Sequence, residues 1–464
     1  MSMTAMREPA GYLGRMLGRM PPKHIDHQQA RGVAALTVVM VLFFVMALVA
    51  AYTNRNLIFE QRISASTYRV SRAAEAAEAA QHWTLGLLNG GRIDTQCQPS
   101  VTAADQDYRS RAMTWLVPNT YGEGGYGLPI GSVTRSELVS GCIIADSTGS
   151  LSCTCPTPAS PTPTLSRPAD GRGVAFHTTI FLPSNQVLPG TVGLASYGCG
   201  SLGTGSNDCS RSVVTSPQVD GVAGVTVVTG LLRALPLAPK ATLTVGGAID
   251  ATGAVLVSNP DNGTGFTVMT GQNTVNPGNV QYAVPAGSVG NGALENLQPL
   301  KDLAPVASLD LPNPTWYRTF FGMPQALYET QPAARMINCA GGCTETDLTP
   351  VLDGYPRNPI ILNGNLTIAT DVALGGSTSP VMLVVNGRLT VTGNASIIGF
   401  VHADSVTWGA TTATWQGAMV TSGNFTATGT ARLRYDREVM DLIRLRYGSF
   451  VRAPGSWNTR NDYR

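Results

Sequence analysis

The hydrophobic pattern of the chain begins with an uncharged stretch near the N-terminus. Residues 32–54 contain no charged side chain, and Arg31 and Arg55 bound the stretch on either side. In a helix, roughly 20 apolar residues span the hydrocarbon of a bilayer. The pattern therefore predicts a membrane-spanning helix over residues 33–54.

The helical pattern continues beyond the uncharged stretch. Residues 55–88 contain no proline, and their only glycine is Gly86. Apolar residues recur there mostly at three-to-four spacing, which is typical of an amphipathic helix. Asn89-Gly90-Gly91 then supplies a helix stop. We expect one helix over residues 33–90 that crosses the membrane and then covers a surface of the folded body.

The charges before this helix indicate its orientation. The leader, residues 1–32, carries more basic than acidic side chains: Arg7, Arg15, Arg19, Lys23 and Arg31 against Glu8 and Asp26. Such an excess favours a cytoplasmic N-terminus, so the residues after 54 are expected outside the cytoplasm. A secretory signal cleaved near Val49-Ala50-Ala51 is the alternative, but the apolar run exceeds the roughly 7–15 residues of a signal-peptide core.

Four features between residues 31 and 80 resemble one family. They are the leader ending in Gly32, the apolar half-helix, the stretch Gln61-Arg-Ile-Ser-Ala-Ser and the run Arg72-Ala-Ala-Glu-Ala-Ala-Glu-Ala-Ala. Together they resemble the PilX-type minor pilins of bacterial type IV pili. The resemblance implies that prepilin peptidase cuts after Gly32 and that Val33 becomes the mature N-terminus. Most pilins have Phe or Met at that position and Glu at the fifth, where this chain has Thr37.

The resemblance also implies a function and a location. It implies a structural subunit that primes or caps pilus assembly at the tip and supports adhesion or twitching motility. The implied partners are other minor pilins, the major pilin, a PilY-type tip adhesin and prepilin peptidase. The implied location is the bacterial inner membrane, single-pass with the C-terminal part periplasmic, and then the pilus. The alternative is an uncleaved, membrane-anchored β-helix binding protein that never enters a filament.

The body after the helix divides by its pattern into two parts. In residues 91–235, a proline-rich spacer at 156–168 is followed by alternating stretches at 174–182, 191–198, 211–216 and 224–235. Alternation is typical of strands. We expect a pilin-like domain in which the helix packs on an antiparallel sheet.

The second part, residues 236–464, contains a repeated phrase. Asn363-Gly-Asn-Leu-Thr-Ile, Asn386-Gly-Arg-Leu-Thr-Val and Ser422-Gly-Asn-Phe-Thr-Ala are each a turn dipeptide leading into an alternating strand. We expect a β-helix-like domain with a short helix near 316–336 and a terminal helix at 436–447 that covers the end of the stack. The tail 448–457 resembles the C-termini of large PilX-like proteins. The predicted fold class is α+β.

Composition bears on which partners the chain can bind and on the compartment in which it folds. The 51 glycines and 30 prolines argue against a helical bundle, and 31 basic against 29 acidic side chains leave a net charge of +2, so no nucleic-acid partner is expected. All eight cysteines follow the membrane segment: Cys97, Cys142, Cys153, Cys155, Cys199, Cys209, Cys339 and Cys343. In an oxidising compartment they predict disulfides, with local pairs in 199–209 and 339–343 and with Cys153 and Cys155 each reaching Cys97 or Cys142. A zinc site fits their spacing poorly.

Candidate chemistry is sparse, and we expect no enzyme, cofactor or metal. Gly198-Cys-Gly-Ser-Leu-Gly matches a dinucleotide motif, but no helix pattern follows it, so we expect a disulfide loop. His402 and Asp404 share a strand face, which we expect to be solvated. The turn at Asp261 lacks the further acidic residues of an EF-hand. The three aromatics Trp408, Trp415 and Phe425 are expected to pack in the core, and the scattered charges Asp371, Arg388 and Asp404 argue against a lyase site.

Overall fold

A computed structural model describes residues 30–112, 117–118, 126–127, 139–145, 148–157, 165, 173–181, 191–202, 209, 219–288, 290–303 and 314–459. The chain forms two compact units, with the boundary between Ala65 and Ser66. The helices are α1 (Ala30–Leu88), α2 (Tyr108–Ala112), α3 (Gln298–Leu303), α4 (Pro314–Phe321), α5 (Gln325–Glu329), α6 (Glu345–Gly354) and α7 (Arg437–Arg446). A single 3₁₀ turn is assigned over Pro277–Asn279 in the described part.

The strands are numbered in chain order. The first nine are β1 (Arg92–Ile93), β2 (Gln106–Asp107), β3 (Val117–Pro118), β4 (Tyr126–Gly127), β5 (Val139–Ala145), β6 (Leu151–Thr154), β7 (Gly173–Phe181), β8 (Thr191–Leu202) and β9 (Val219–Arg233). The next six are β10 (Ala241–Val245), β11 (Ile249–Ala251), β12 (Ala254–Ser258), β13 (Phe266–Thr270), β14 (Val280–Ala283) and β15 (Ala293–Leu294). The last nine are β16 (Arg335–Thr344), β17 (Ile360–Ile368), β18 (Ala373–Leu374), β19 (Val381–Val391), β20 (Ser396–Trp408), β21 (Thr414–Thr421), β22 (Phe425–Ala427), β23 (Thr430–Arg434) and β24 (Gly448–Arg452).

The long N-terminal helix is confirmed. The helix is continuous through residues 54–59, where the apolar stretch gives way to the amphipathic one. The absence of proline and of interior glycine until Gly86 leaves nothing in the sequence that would interrupt the main-chain hydrogen bonds there.

An antiparallel sheet follows the helix. Its order is β24-β9-β8-β7-β5-β6, and each of its five pairings is antiparallel. Three of its strands occupy the alternating stretches predicted near 174, 191 and 224, while the stretch at 211–216 and most of the spacer 156–168 lie outside the described residues. One edge strand is unexpected, because β24 comes from the C-terminal tail, with Phe450 paired to Leu231 of β9.

The remaining large sheet is parallel throughout its described pairings. Its strands stack in the order β16, β17, β19, β20 and β21, with Ile360 opposite Leu383 and Gly399 opposite Gly417. The copies of the repeated phrase lie one above the next, so that Asn363 is paired in register with Asn386. We call one such level of the stack a layer.

The layers do not follow chain order. Strands β10, β11 and β12 stack beyond β21, β22 and β23, although they precede them by more than 150 residues in the sequence. Strands β13 and β14 add the next layer, and β15 pairs with β13. Strands β10 to β15 therefore form one end of the stack. After α3, α4 and α5, the chain continues at the opposite end with β16, and the later strands add layers in order until β21, β22 and β23 lie next to β10, β11 and β12.

The repeated phrase has a structural explanation. Its asparagine accepts a hydrogen bond from a main-chain N–H of the next layer: Asn365 Oδ1 from Arg388 at 2.9 Å, and Asn424 Oδ1 from Ala248 at 3.0 Å. The bond from Ala248 joins the layer of β10 and β11, which comes first in the sequence, to the layer of β21 and β22, which comes last. Each such asparagine satisfies a polar group at a corner where the strand ladder is interrupted.

The parallel strands are buried on both faces. Alternate residues such as Leu383 and Val401 point into the stack, while their neighbours Val384 and Phe400 point outward beneath α4, α5 and α7. The predicted terminal helix is observed as α7 with Asp436 as its N-cap, but it lies on this lateral face, because its apolar residues Val439, Met440 and Ile443 complete that cluster. The single helix expected near 316–336 is instead two helices, α4 and α5, and the strand β16 already begins at Arg335.

Candidate assembly helix and its docking on the sheet

The first part of α1 presents apolar side chains that nothing in the described part of the chain covers. From Leu36 to Ile63 its large apolar residues are about half exposed or more, with Phe43 at 74% and Met46 at 67%. Burying one such side chain is worth about 1.5–3 kcal/mol. The segment is long and apolar enough to cross a membrane, and its Thr53 hydroxyl is satisfied within the helix by donating to the carbonyl oxygen of Val49 at 2.9 Å.

The predicted processing site lies inside this helix. Gly32 and Val33 have helical backbone, since α1 begins at Ala30. Their side chains are outside the described part of the chain, and cleavage between them stays a prediction. Removing residues 1–32 would leave a helix that starts at the new N-terminus.

The second part of α1 buries a stripe of alanines. Ala73, Ala76, Ala77 and Ala80 are almost fully inaccessible to solvent. Their spacing of three and four residues places them on one helix face. That face packs against the antiparallel sheet, where Trp83 meets Phe176 edge to face with ring centroids 5.4 Å apart.

Glycines on the sheet allow the close approach of this stripe. A Cβ atom at Gly198 of β8 would lie 2.0 Å from the carbonyl oxygen of Ala73, and one at Gly200 would lie 2.3 Å from that of Arg69. The two glycines are two residues apart and so point to the same face. Residues 198–202 thus belong to a strand that contacts the helix, where a loop was expected. Cys199 of this strand forms the expected disulfide with Cys209, and residues 203–208 lie outside the described residues.

Four disulfides stabilise the body. The pairs are Cys97–Cys155, Cys142–Cys153, Cys199–Cys209 and Cys339–Cys343. The first fastens the region after α1 to the residue that follows edge strand β6, the second joins the paired strands β5 and β6, and the fourth closes a bulge in β16. The pairs fit the disulfides expected from the sequence, and each cysteine is committed to a partner, which leaves none to ligate a metal.

The end of α1 is joined to both sheets through Asn89. Its side chain pairs with the main chain of Phe450 in β24, donating from Nδ2 to the carbonyl oxygen at 2.9 Å and accepting at Oδ1 from the N–H at 2.7 Å. Its own carbonyl oxygen accepts from Arg335 Nη2 at 2.7 Å and from Asn358 Nδ2 at 3.1 Å, both from the part of the chain that forms the parallel sheet.

Arg109 reinforces this junction. Its guanidinium donates to the carbonyl oxygen of Gly448 at 2.6 Å and lies 4.8 Å from the ring centroid of Phe450. The sequence marked Asn89 only as part of a helix stop. No local pattern reveals the pairing, because its partners are hundreds of residues away.

The other candidate residues resolve into structural roles. The turn at Asp261 is closed by its own carboxylate, which accepts from the Thr264 N–H and hydroxyl, each at 3.0 Å. Backbone and hydroxyl donors and Arg437 lower the pKa of Asp261 against the opposing effect of burial, which is the largest single influence. The aromatics Trp408, Trp415 and Phe425 lie in the interior of the parallel stack.

His402 departs from the expectation of a solvated face. It is only 2% exposed, because α4 covers the strand face that it shares with Asp404. Asp404, at the rim of that face, remains exposed. Among the described residues, no group of three His, Cys, Asp or Glu side chains is placed to hold a metal ion.

Comparison with known proteins adds little. No family model and no curated protein matches the chain. Among solved structures, the chain is similar to the competence-associated pilin ComZ from Thermus thermophilus, with 11% sequence identity, coverage of 84% of this chain and 97% of that chain, and a TM-score of 0.21. At that TM-score the likeness bears on neither the fold nor the function of this chain.

Proposed function

We propose that this chain is a minor-pilin-like structural subunit of a type IV pilus that primes or caps assembly at the tip. The observation that carries the proposal is helix α1. Residues 35–63 expose apolar side chains to the surroundings, and residues 73–88 bury an alanine stripe against the antiparallel sheet. One continuous helix thus provides a surface for assembly in its first part and the attachment of the folded body in its second part.

Assembly would exchange lipid contacts for contacts between like helices. In lipid, apolar burial gives no net drive for helix association, which depends instead on close packing. Small residues in the segment, namely Ala34, Ala35, Ala47, Ala50 and Ala51, permit that approach. Processing after Gly32 by prepilin peptidase would free the helix for this exchange, with the C-terminal part on the periplasmic side and later at the cell surface.

The rest of the chain supplies a rigid body without a catalytic role. The parallel layers form a β-helix-like stack, and the antiparallel sheet with α1 forms the pilin-like part. Other minor pilins, the major pilin and a PilY-type tip adhesin are the proposed partners. The low charge of the stack supports a protein-binding role, since between residues 359 and 431 only Asp371, Arg388 and Asp404 are charged.

The mature N-terminus tests this proposal. Mass spectrometry of the chain from sheared pili should give a protein that begins at Val33. The variant Gly32→Leu should retain residues 1–32 and disappear from the pilus fraction, whereas Gly14→Leu in the same leader should behave as wild type. A wild-type chain that keeps its leader and stays in the membrane would refute the proposal and support the uncleaved binding protein.

Binding of the adhesin needs point variants. Deleting residues 236–464 would also remove β24, an edge of the antiparallel sheet. Thr390 and Thr407 are partly exposed and adjacent in register on a lateral face of the stack. The double variant Thr390→Arg/Thr407→Arg should lower adhesin retention in sheared pili at least several-fold, while Thr412→Arg on an exposed turn should not. Unchanged retention would place the contact elsewhere.

A further inference from the structure

An imidazole occupies an apolar position in the parallel sheet. His402 is paired in register with Val384 on one side and Val420 on the other, on the face beneath α4. It is 2% exposed. Within the described part of the chain, neither of its ring nitrogens has a hydrogen-bond partner. The imidazole of His402 therefore occupies a position that is filled by valine in both adjacent layers.

Three aromatic rings of α4 enclose this imidazole. The ring centroids of Trp316, Tyr317 and Phe321 lie 6.1, 5.9 and 5.9 Å from that of His402. The Trp316 indole N–H is also buried without a partner among the described residues. Helix α5 joins the same cluster, since Tyr328 lies 4.5 Å from Phe321 between ring centroids. We call α4 and α5 together, residues 314–329, the strap.

Among residues 314–459 and the other described ranges, no carboxylate is placed to compensate a charge on His402. Glu329 of α5 is occupied as acceptor from Gln325 Nε2 at 2.7 Å and from Asn386 Nδ2 at 2.9 Å. Tyr317 donates to Asn386 Oδ1 at 2.6 Å, and burial raises the pKa of both Tyr317 and Tyr328, so both stay neutral in acid.

Asp404 is a further ionisable group near His402 in the described structure, two residues along β20. Its residue is exposed at the rim, yet burial of the carboxyl raises its pKa to about 6, opposed by the Ser422 hydroxyl. It loses its charge over the same acidic range in which His402 would gain one. The carboxylate therefore does not neutralise an imidazolium.

We propose that the strap is a proton-released element, in which protonation of His402 frees α4 and α5 from the parallel sheet. The imidazolium needs hydrogen-bond acceptors that the ring cluster does not offer, and release gives it water. Release also uncovers Val384, Phe400 and Val420, and so converts a covered face of the stack into an apolar surface available to a partner.

The sign of the pH dependence follows from burial. Burial lowers the pKa of His402 to about 4, below the value of about 6.5 for a solvated histidine. Above pH 6.5 both states are neutral and docking is unaffected. As the pH falls from 6.5 toward 4, the released state binds the proton first and docking weakens. At pH 4.5 this linkage favours release roughly 50-fold relative to pH 7. The raised pKa of Asp404 acts in the opposite direction, so the net loss of docking in the wild type is smaller than the effect of His402 alone.

Hydrogen–deuterium exchange of the full chain in detergent micelles tests the proposal. After correction for intrinsic exchange rates, peptides covering 314–329 should lose protection between pH 7 and pH 4.5, and in Asp404→Asn, which removes the opposing carboxyl, the loss should approach roughly 50-fold. Peptides covering 381–391, inside the stack, should keep theirs and so report that the fold is intact. In His402→Val, which repeats the residue of the adjacent layers, the strap should stay protected at both pH values. Should the valine variant fail to fold, His402→Gln removes the titration while keeping a polar group.

Two results would overturn the proposal. Equal loss of strap protection in wild type and in the folded His402 variant would assign the acid effect to another group, with Asp404→Asn showing whether it is that carboxyl. Unchanged or increased protection of the strap at pH 4.5 in both wild type and Asp404→Asn would show that the surrounding rings stabilise the imidazolium by cation–π contact and hold the strap in place.

Discussion

Substituting a single glycine should separate helix α1 from the antiparallel sheet. In Gly198→Ala, the new Cβ would lie 2.0 Å from the Ala73 carbonyl oxygen and 2.6 Å from the Ala77 nitrogen, where ordinary contacts begin near 3.4 Å. Both opposing atoms are backbone, so no side-chain rotation relieves the overlap. The helix or the strand must move by about 1.4 Å.

The energetic consequence follows from this displacement. Overpacking in a well-packed core costs about 1–3 kcal/mol when side chains can adjust. Here the alanine stripe also loses contact, because a small side chain reaches its partner only when the backbones are close. We therefore expect a loss of about 3 kcal/mol or more, which for a folded unit of this size corresponds to a fall of roughly 4 °C or more in the apparent melting temperature.

Thermal unfolding of the full chain in detergent micelles, followed by intrinsic fluorescence, measures this effect. The matched control is Gly230→Ala in the neighbouring strand β9, where an added Cβ meets nothing within 4 Å. At such a position alanine is neutral or stabilises by about 0.4–1 kcal/mol. If Gly198→Ala melts within 2 °C of wild type, or if Gly230→Ala falls as far, the close-approach argument is wrong.

Three further predictions concern connections across the fold. Asn424→Ala removes the bond to the Ala248 N–H between the earliest and latest layers, and should lower the free energy of unfolding by about 1–2 kcal/mol in denaturant titration, with protection lost first in β10–β12. Asn89→Ala leaves the main-chain groups of β24 unpaired, so the C-terminal peptide should exchange at least tenfold faster while peptides from β19 do not. Replacing both Cys97 and Cys155 by alanine opens a 58-residue loop and should cost about 4 kcal/mol in the chain-entropy description; a loss below 1 kcal/mol would contradict that description here.

The elements with local sequence signals could be predicted. Helix α1 follows from periodicity and from the absence of breaking residues, and the strands near residues 174 and 191 follow from alternation. The repeated phrase indicated stacked strands, because a turn dipeptide and an alternating run recur together. In each case neighbouring residues along the chain carry the information.

Other features depend on contacts that no local pattern reports. The pairing of β24 with β9 joins residues more than 200 positions apart, and the placement of β10 beyond β21 reverses the order of the chain. His402 shows a further reason: alternation tells which strand face a residue occupies, but whether that face is covered depends on α4. Gly198 gave a usable signal, since two glycines at alternate positions on one strand indicate a close backbone approach.

The position of β24 has a consequence for biosynthesis. Strand β24, the last strand among the described residues, completes the antiparallel sheet, holds the end of α1 through Asn89, and follows helix α7, which covers the parallel sheet. A chain that emerges from its N-terminus leaves these edges open until β24 has been synthesised. Copies truncated before β24 would expose an unpaired strand edge and an undocked helix end. Quality-control proteases degrade such chains, so that only subunits containing β24 accumulate.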